Sequence, residues 1–364
     1  MIEAPMDEAL DSFTEHQPRA RAALAAALAA GPAHAYLFRG PRGAGKRAAA
    51  RAFAAEILAI GAEDPDDARR RALLDPSPHP DLVWLAPTGA QHMVEAVREQ
   101  VIRAASYRPF EGGRRVFVLE AAEAMRDESQ NALLKTLEEP PAFAHLLLLS
   151  SEPEALLETI SSRCQPVDFA PLPLAAIEAE LGGEGPEAEA AARLCAGDAE
   201  LARFLLDERG KKLRAAALSL AAPTARAPWK SLLKAAEDVG ADAEAEARSA
   251  LEEDKEAGVK RSAREMADEA KRVGRRRRTE TLDLGLALSA SWFRDVAVLT
   301  EGAAEVVHNR DRLQQLRAAG EGVEAQVARR AAELVQDTRR RLDLNVSEEL
   351  ALEALCYRLE EVAG

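Results

Sequence analysis

Short, unbroken apolar runs recur through the first half of the chain. Ala35-Tyr36-Leu37-Phe38, Leu82 to Leu85, Val116 to Leu119 and Leu146 to Leu149 are of strand length, and helical stretches separate them. Strands that are apolar at every position, rather than at alternate ones, belong to parallel sheets covered on both faces. The pattern therefore predicts an α/β domain over residues 1–170, with an alanine-rich helix from Lys46 to about Ile60. Pro171 and Pro173 break it. Residues 174–222 read as wholly helical, with a turn at Gly182-Gly183-Glu184-Gly185-Pro186, and a second break runs from Pro223 to Pro228. From Trp229 to Gly364 no strand is predicted. Helices are expected there, including Leu282–Thr300, Gly322–Arg341 and Ser347–Val362, and the charge-dense residues 241–280 read as a solvated helical hairpin. No internal repeat is evident.

Composition narrows the class. With 364 residues, two or three domains are expected, and 47% hydrophobic with 30% charged residues fits a soluble globular protein. The net charge of −14 makes a poor stand-alone DNA binder, because phosphate contacts need clustered Lys and Arg. Work on DNA is expected only inside an assembly. No apolar run approaches the roughly 18 residues of a membrane span, and the acidic start MIEAPMDEAL carries no secretory core. The three cysteines, Cys164, Cys195 and Cys356, lie far apart. They suit a reducing cytoplasm and give neither a disulfide framework nor a metal spacing.

Gly40-Pro41-Arg42-Gly43-Ala44-Gly45-Lys46-Arg47 follows a predicted strand and opens a predicted helix. This is the phosphate-binding loop pattern: Gly40, Gly43 and Gly45 let backbone N–H groups wrap a phosphate, and Lys46 reaches the outer phosphates. The next position in a working loop is Ser or Thr, whose hydroxyl binds Mg²⁺; here it is Arg47, which has no acceptor and repels a cation. The apolar strand ending in Glu120 is followed by Ala121 where a water-activating carboxylate is needed. Glu123 reads as a helix-start charge. Hydrolysis at this site is not expected; ATP binding without turnover, and a glycine turn kept only for chain geometry, stand as alternatives.

Asn131-Ala132-Leu133-Leu134-Lys135-Thr136-Leu137-Glu138-Glu139-Pro140-Pro141 and Ser162-Arg163-Cys164 resemble motifs of the bacterial clamp-loader subunits, the gamma/tau and delta-prime proteins of DNA polymerase III. Trp292-Phe293-Arg294-Asp295, Asn309-Arg310-Asp311, Asn345-Val346 and Leu350–Leu355 look like their helical collar, and Ala196–Arg203 like the lid segment that carries a sensor arginine. The resemblance is weakest at residues 55–80 and 230–280. It implies an AAA+ P-loop core with a parallel sheet (1–170), a small helical lid (171–226) and a helical collar (227–364). Many relatives bind zinc through four cysteines after the P-loop helix. Leu58 to Pro80 has none, so no zinc is expected. The damaged P-loop favours the delta-prime kind over gamma/tau.

What the resemblance implies for single residues follows. Arg163 would project into a neighbour's ATP site as an arginine finger. Gly40, Gly43, Gly45, Lys46, Arg47, Glu120, Ser150 and Arg203 would form a degenerate nucleotide site, with Ser150 or Ser151 at the sensor position. Cys164 reads as a small buried hydrophobe. Lys135 either faces DNA in a central channel or pairs with Glu139, and the run Arg275–Arg278 either touches DNA or an acidic neighbour, or balances Glu252-Glu253-Asp254. The expected role is a stator in the polymerase holoenzyme. It would join gamma/tau and delta subunits, the sliding clamp and, through the complex, primer-template DNA, without polymerase activity and with little or no ATPase of its own. An active gamma/tau-like motor and a non-replicative helical scaffold are the alternatives.

Overall fold

A computed structural model describes residues 8–87, 91–183, 185–221, 227–256, 262–342 and 346–363. They form two compact units, Met1–Ala176 and Ile177–Gly364. Among the described residues no helix is long and apolar enough to cross a membrane.

The first unit runs α1 (Glu8–Phe13), α2 (Pro18–Ala30), β1 (Ala35–Arg39), α3 (Lys46–Ala59), α4 (Pro65–Leu73), β2 (Leu82–Leu85), α5 (Val94–Ala96, widening into Val97–Arg103), β3 (Arg115–Leu119), α6 (Asp127–Glu138), β4 (Ala144–Ser150), α7 (Glu158–Ser161) and β5 (Gln165–Asp168). All strands are parallel, in the order β2-β3-β4-β1-β5. This is the parallel α/β core that the unbroken apolar runs predict. Alternate residues of the central strands point to opposite faces. Tyr36, Phe38, Val116, Val118, Leu147 and Leu149 pack with Phe53 and Ile57 of α3. Leu37, Phe117, Leu119, Leu146 and Leu148 pack with Val97, Val101 and Leu133 on the other side. Burial of each such side chain stabilises the unit by about 1.5–3 kcal/mol. Small buried residues of α3, Ala49, Ala50, Ala52, Ala54 and Ala55, form much of its buried surface beside Phe53 and Ile57.

β5 was not legible in the pattern. Its sequence is Gln-Pro-Val-Asp, and of these only Val167 is buried. Pro166 lacks the N–H of a central strand, and the edge position beside β1 tolerates it.

The segment that lacks the four cysteines is held by charge. Asp64 caps α4 by accepting from the Asp67 N–H (3.0 Å). Arg69 forks onto Glu56 of α3 (2.9 and 3.2 Å), and Arg71 bridges Asp67 and Glu111. Near the start of β4, His145 is buried. Its Nδ1 donates to the Ala33 carbonyl (2.8 Å), so its Nε2 accepts from Arg114 Nη1 (2.8 Å). Burial pushes this imidazole down to about 4, with the Arg114 guanidinium acting in the same direction.

The second unit is helical, with no strand among its described residues: α8 (Leu174–Leu181, beginning at the junction), α9 (Pro186–Leu194), α10 (Ala199–Leu206), α11 (Glu208–Ser219), α12 (Trp229–Glu256), α13 (Ala263–Thr300), α14 (Leu313–Gly320), α15 (Ala325–Leu342) and α16 (Glu348–Ala363). Leu205 and Leu213 share one apolar core with Leu232, Leu286, Leu334, Val335, Leu352 and Leu355. The charge-dense stretch is indeed a helical hairpin. α13 starts at Ala263 rather than Leu282, because Ser262 and Glu265 form a capping box. α12 and α13 cross closely at two glycines: a Cβ on Gly274 would lie 2.8 Å from the Gly240 carbonyl oxygen.

Arg276 meets Glu280 one turn on (2.9 Å), and Arg278 meets Glu348 of α16 (2.5 Å). The side chains of Glu253 and Asp254 lie outside the described residues, as does Asn345. Asp295 and the Asn309–Asp311 segment make a buried polar network. Asp295 accepts from the N–H groups of His308 (3.0 Å) and Asn309 (2.7 Å), from Asn309 Nδ2 (2.8 Å) and from Arg294 (2.9 Å). Arg214 binds Asn309 (2.7 Å) and, with both terminal nitrogens, Asp311 (2.8 and 2.7 Å). Trp292 and Phe293 of the same motif belong to the neighbouring apolar cluster.

Two predictions follow from these buried groups. The unfolded chain binds a proton at His145 near pH 6.5, which the folded chain refuses until about pH 4, so stability conferred above that window is lost as the pH falls through it. The loss from this group should be on the order of 3 kcal/mol, and His145→Gln should flatten the slope of urea midpoint against pH between 6.5 and 4. Removing the Asp295 carboxylate strands its donors in a dry site. Asp295→Ala should cost the helical unit about 3–5 kcal/mol in chemical denaturation.

Candidate functional site

The loop between β1 and α3 is built as the sequence predicts. Gly40, Gly43 and Gly45 have φ of 150°, 65° and 85°, values that side chains rarely adopt. Gly40 has a second constraint: a Cβ there would lie 2.2 Å from the Phe169 carbonyl oxygen, just past β5. Gln17 ties the loop to the same strand end. Its Nε2 donates to the carbonyls of Ala44 (3.0 Å) and Ala170 (2.7 Å), and its Oε1 accepts from the Ala170 N–H (2.9 Å). Lys46 is buried, with its ammonium on the carbonyls of Gly40 (2.5 Å) and Pro41 (2.6 Å).

Arg47, one residue on, is held by two carboxylates. Its Nη2 lies 3.0 Å from Asp75 and its Nε 3.1 Å from Glu120 at the end of β3. Its guanidinium sits 5.7 Å from the Trp84 ring centre, and that of Arg51 sits 4.4 Å from it. Arg51 also binds Asp75 (2.9 Å), and burial lowers its pKa. These residues do not fit a magnesium ion. Glu120 already has a fixed positive partner, no hydroxyl stands at position 47, and Ala121 supplies no carboxylate.

Glu123 stands in the first turn of a short 3-10 helix, Ala122–Ala124, as expected, and its carboxylate also accepts from the Ser151 hydroxyl (2.8 Å) and N–H (3.2 Å) at the end of β4. The geometry of parallel strands brings these groups together, although 28 residues separate them. Lys135 makes no ion pair with Glu139 among the described residues and stands exposed on α6; Lys before Glu is the weaker order at that spacing. Ser150 is buried, and its hydroxyl accepts from the Glu152 N–H (3.2 Å).

Arg163 sits just past α7. Its Nη1 donates to the Thr159 carbonyl (2.9 Å) and its Nη2 to Glu138 at the end of α6 (2.6 Å). Cys164 beside it is buried, and desolvation pushes its thiol up to about 12, which leaves it un-ionised at neutral pH. Arg203 belongs to the second unit, on α10, where it pairs with Glu180 of α8. Asp75, Arg51, Trp84, Gln17 and Glu138 were not singled out as site residues from the sequence. Glu138 lies within the Asn131–Pro141 motif without being picked out in it; the other four fall on no chemical signature, and distant motif residues bring them to the site.

Residues 16–173 match the family described as DNA polymerase III, delta subunit. Over 156 residues the chain is 43% identical to the DNA polymerase III subunit delta' of Pseudomonas aeruginosa, covering 41% of this chain and 46% of that protein. It is 37% identical over 172 residues to the subunit delta' of Escherichia coli, covering 45% and 51%. The first unit is delta-prime-like. The matched stretch holds every candidate site residue except Arg203. The DNA polymerase III subunit gamma/tau of Mycobacterium tuberculosis is also similar, 37% identical over 171 residues that cover 44% of this chain and 29% of that protein. The chain spans about half the length of the curated delta' relatives it matches.

Gly40 and Gly113 share a φ of 150°, but a Cβ on Gly113 meets nothing within 4 Å. Gly40→Ala should therefore destabilise the first unit by about 2–4 kcal/mol, and Gly113→Ala by distinctly less. Paired denaturation curves measure the difference, which isolates the collision with Phe169.

Proposed function

We propose that this chain is the delta-prime-like stator of a bacterial clamp loader. It would assemble with gamma/tau and delta subunits, act on the sliding clamp, and meet primer-template DNA through the complex. Residues 171–226 would serve as lid and 227–364 as collar. The chain supplies no polymerase chemistry. Its P-loop keeps the glycines and Lys46, which supports binding of a phosphate-bearing ligand such as ATP. Turnover there has no metal ligand and no water-activating carboxylate to use.

Two observations carry this reading together, the Arg47–Glu120 pair and, elsewhere in the same unit, a half-exposed Arg163. One guanidinium neutralises the acid that a metal site needs, and the other is presented at the turn before β5. A subunit built so has lost its own catalysis and retains a group to lend. An arginine finger in trans stabilises charge spreading over the γ-phosphate oxygens during transfer.

In the reconstituted complex, Arg163→Ala should lower clamp-stimulated ATP turnover by at least about tenfold while leaving the complex intact by gel filtration. Unchanged turnover counts against the finger. The isolated chain should hydrolyse ATP no faster than its Lys46→Ala variant; robust magnesium-dependent hydrolysis abolished by that substitution would instead make it a motor subunit.

A further inference from the structure

We propose that Glu138 is a positioning residue for Arg163, which aims the guanidinium at a neighbouring subunit's nucleotide; this rests on the reading of Arg163 as a finger in trans. A guanidinium has five N–H donors in one plane. Two of them are engaged inside this chain, one on the Thr159 carbonyl at 2.9 Å and one on Glu138 Oε1 at 2.6 Å. Two anchors on different elements fix both the position and the plane of the group. The remaining donors are left for an anion, and 35% of the side chain stays accessible.

Glu138 itself is well placed to act as a fixed anchor. It is the last residue of α6, Glu139 ends the helix, and Pro140 and Pro141 prevent its continuation. Leu133 and Leu137 of that helix are buried against the sheet, so the carboxylate is carried on a rigid element. The pair is too exposed for its Coulomb energy to matter much, with 49% of the Glu138 side chain accessible. Its effect is geometric: it removes rotamer freedom from a long side chain before the phosphate arrives, which lowers the cost of reaching the reactive arrangement. On this reading the Leu-Glu-Glu-Pro-Pro and Ser-Arg-Cys segments form one device, with the first setting the aim of the second.

The test uses the assembled complex with saturating clamp and DNA. Glu138→Ala should lower kcat for ATP roughly threefold to tenfold with little change in KM. Glu138→Gln, which keeps an acceptor oxygen, should retain most of the rate, and Glu138→Ala added to Arg163→Ala should lower it no further. An Arg163→Ala defect with normal turnover in Glu138→Ala would overturn the positioning role and leave the finger standing. Additive losses in the double variant would also overturn it, because Glu138 would then act elsewhere. Normal turnover in Arg163→Ala would sink the finger reading itself.

Discussion

Three parallel strand ends carry the chemistry of the first unit, and their neighbourhood follows from one choice of pairing. β4 is hydrogen-bonded between β1 and β3, with Phe38 opposite Leu149 and Val118 opposite Leu147. Registering the apolar runs in this way buries both faces of the sheet. A slip by one residue would exchange the sets of side chains that the two covered faces receive. The same register leaves the P-loop after β1, Glu120 after β3 and Ser151 after β4 at one edge. Gly40 lies between β4 and the end of β5: its N–H reaches the Ser150 carbonyl, and Phe169 leaves no room for a Cβ.

Charge at that edge is then settled by substitution. In a working site a divalent cation answers the acidic strand end. Here Arg47 does so from within the chain, shared with Asp75 and lying near Trp84. An arginine keeps its charge at any physiological pH and does not dissociate as a metal does. The acid is thereby a structural counter-ion rather than a metal support. The pairing also draws Asp75, just past α4, towards the start of α3. Together with the Arg69–Glu56 fork it anchors the segment that lacks cysteines. Guanidinium–carboxylate pairs thus hold this segment to α3.

Much of the molecule was legible beforehand because it rests on local rules. Four of the five described strands announce themselves as uninterrupted apolar runs, the loop glycines by their spacing, and the hairpin over residues 241–280 by its charge density. Less local features were not. β5 carries one buried residue and a proline, so only its pairing with β1 reveals it. Glu123 is the helix-start charge it reads as, but its partner, Ser151, is 28 residues away across two strand ends. Arg276 and Arg278 took Glu280 and Glu348 as partners, the second of which only the packing of α16 brings near.

The sequence by itself determined most of the order of elements and the residue types at the phosphate-loop edge, because each depends on residue type at short spacing. A missing hydroxyl at Arg47 and a missing carboxylate at Ala121 cannot be restored by folding. Tertiary structure alone decided which charges meet: Arg47 with Glu120, Arg163 with Glu138, Asp295 with Asn309. Ion pairs and hydrogen bonds are satisfied over a few ångströms in space. A linear chain records which groups are present, and only the packed strands and helices bring them within that reach.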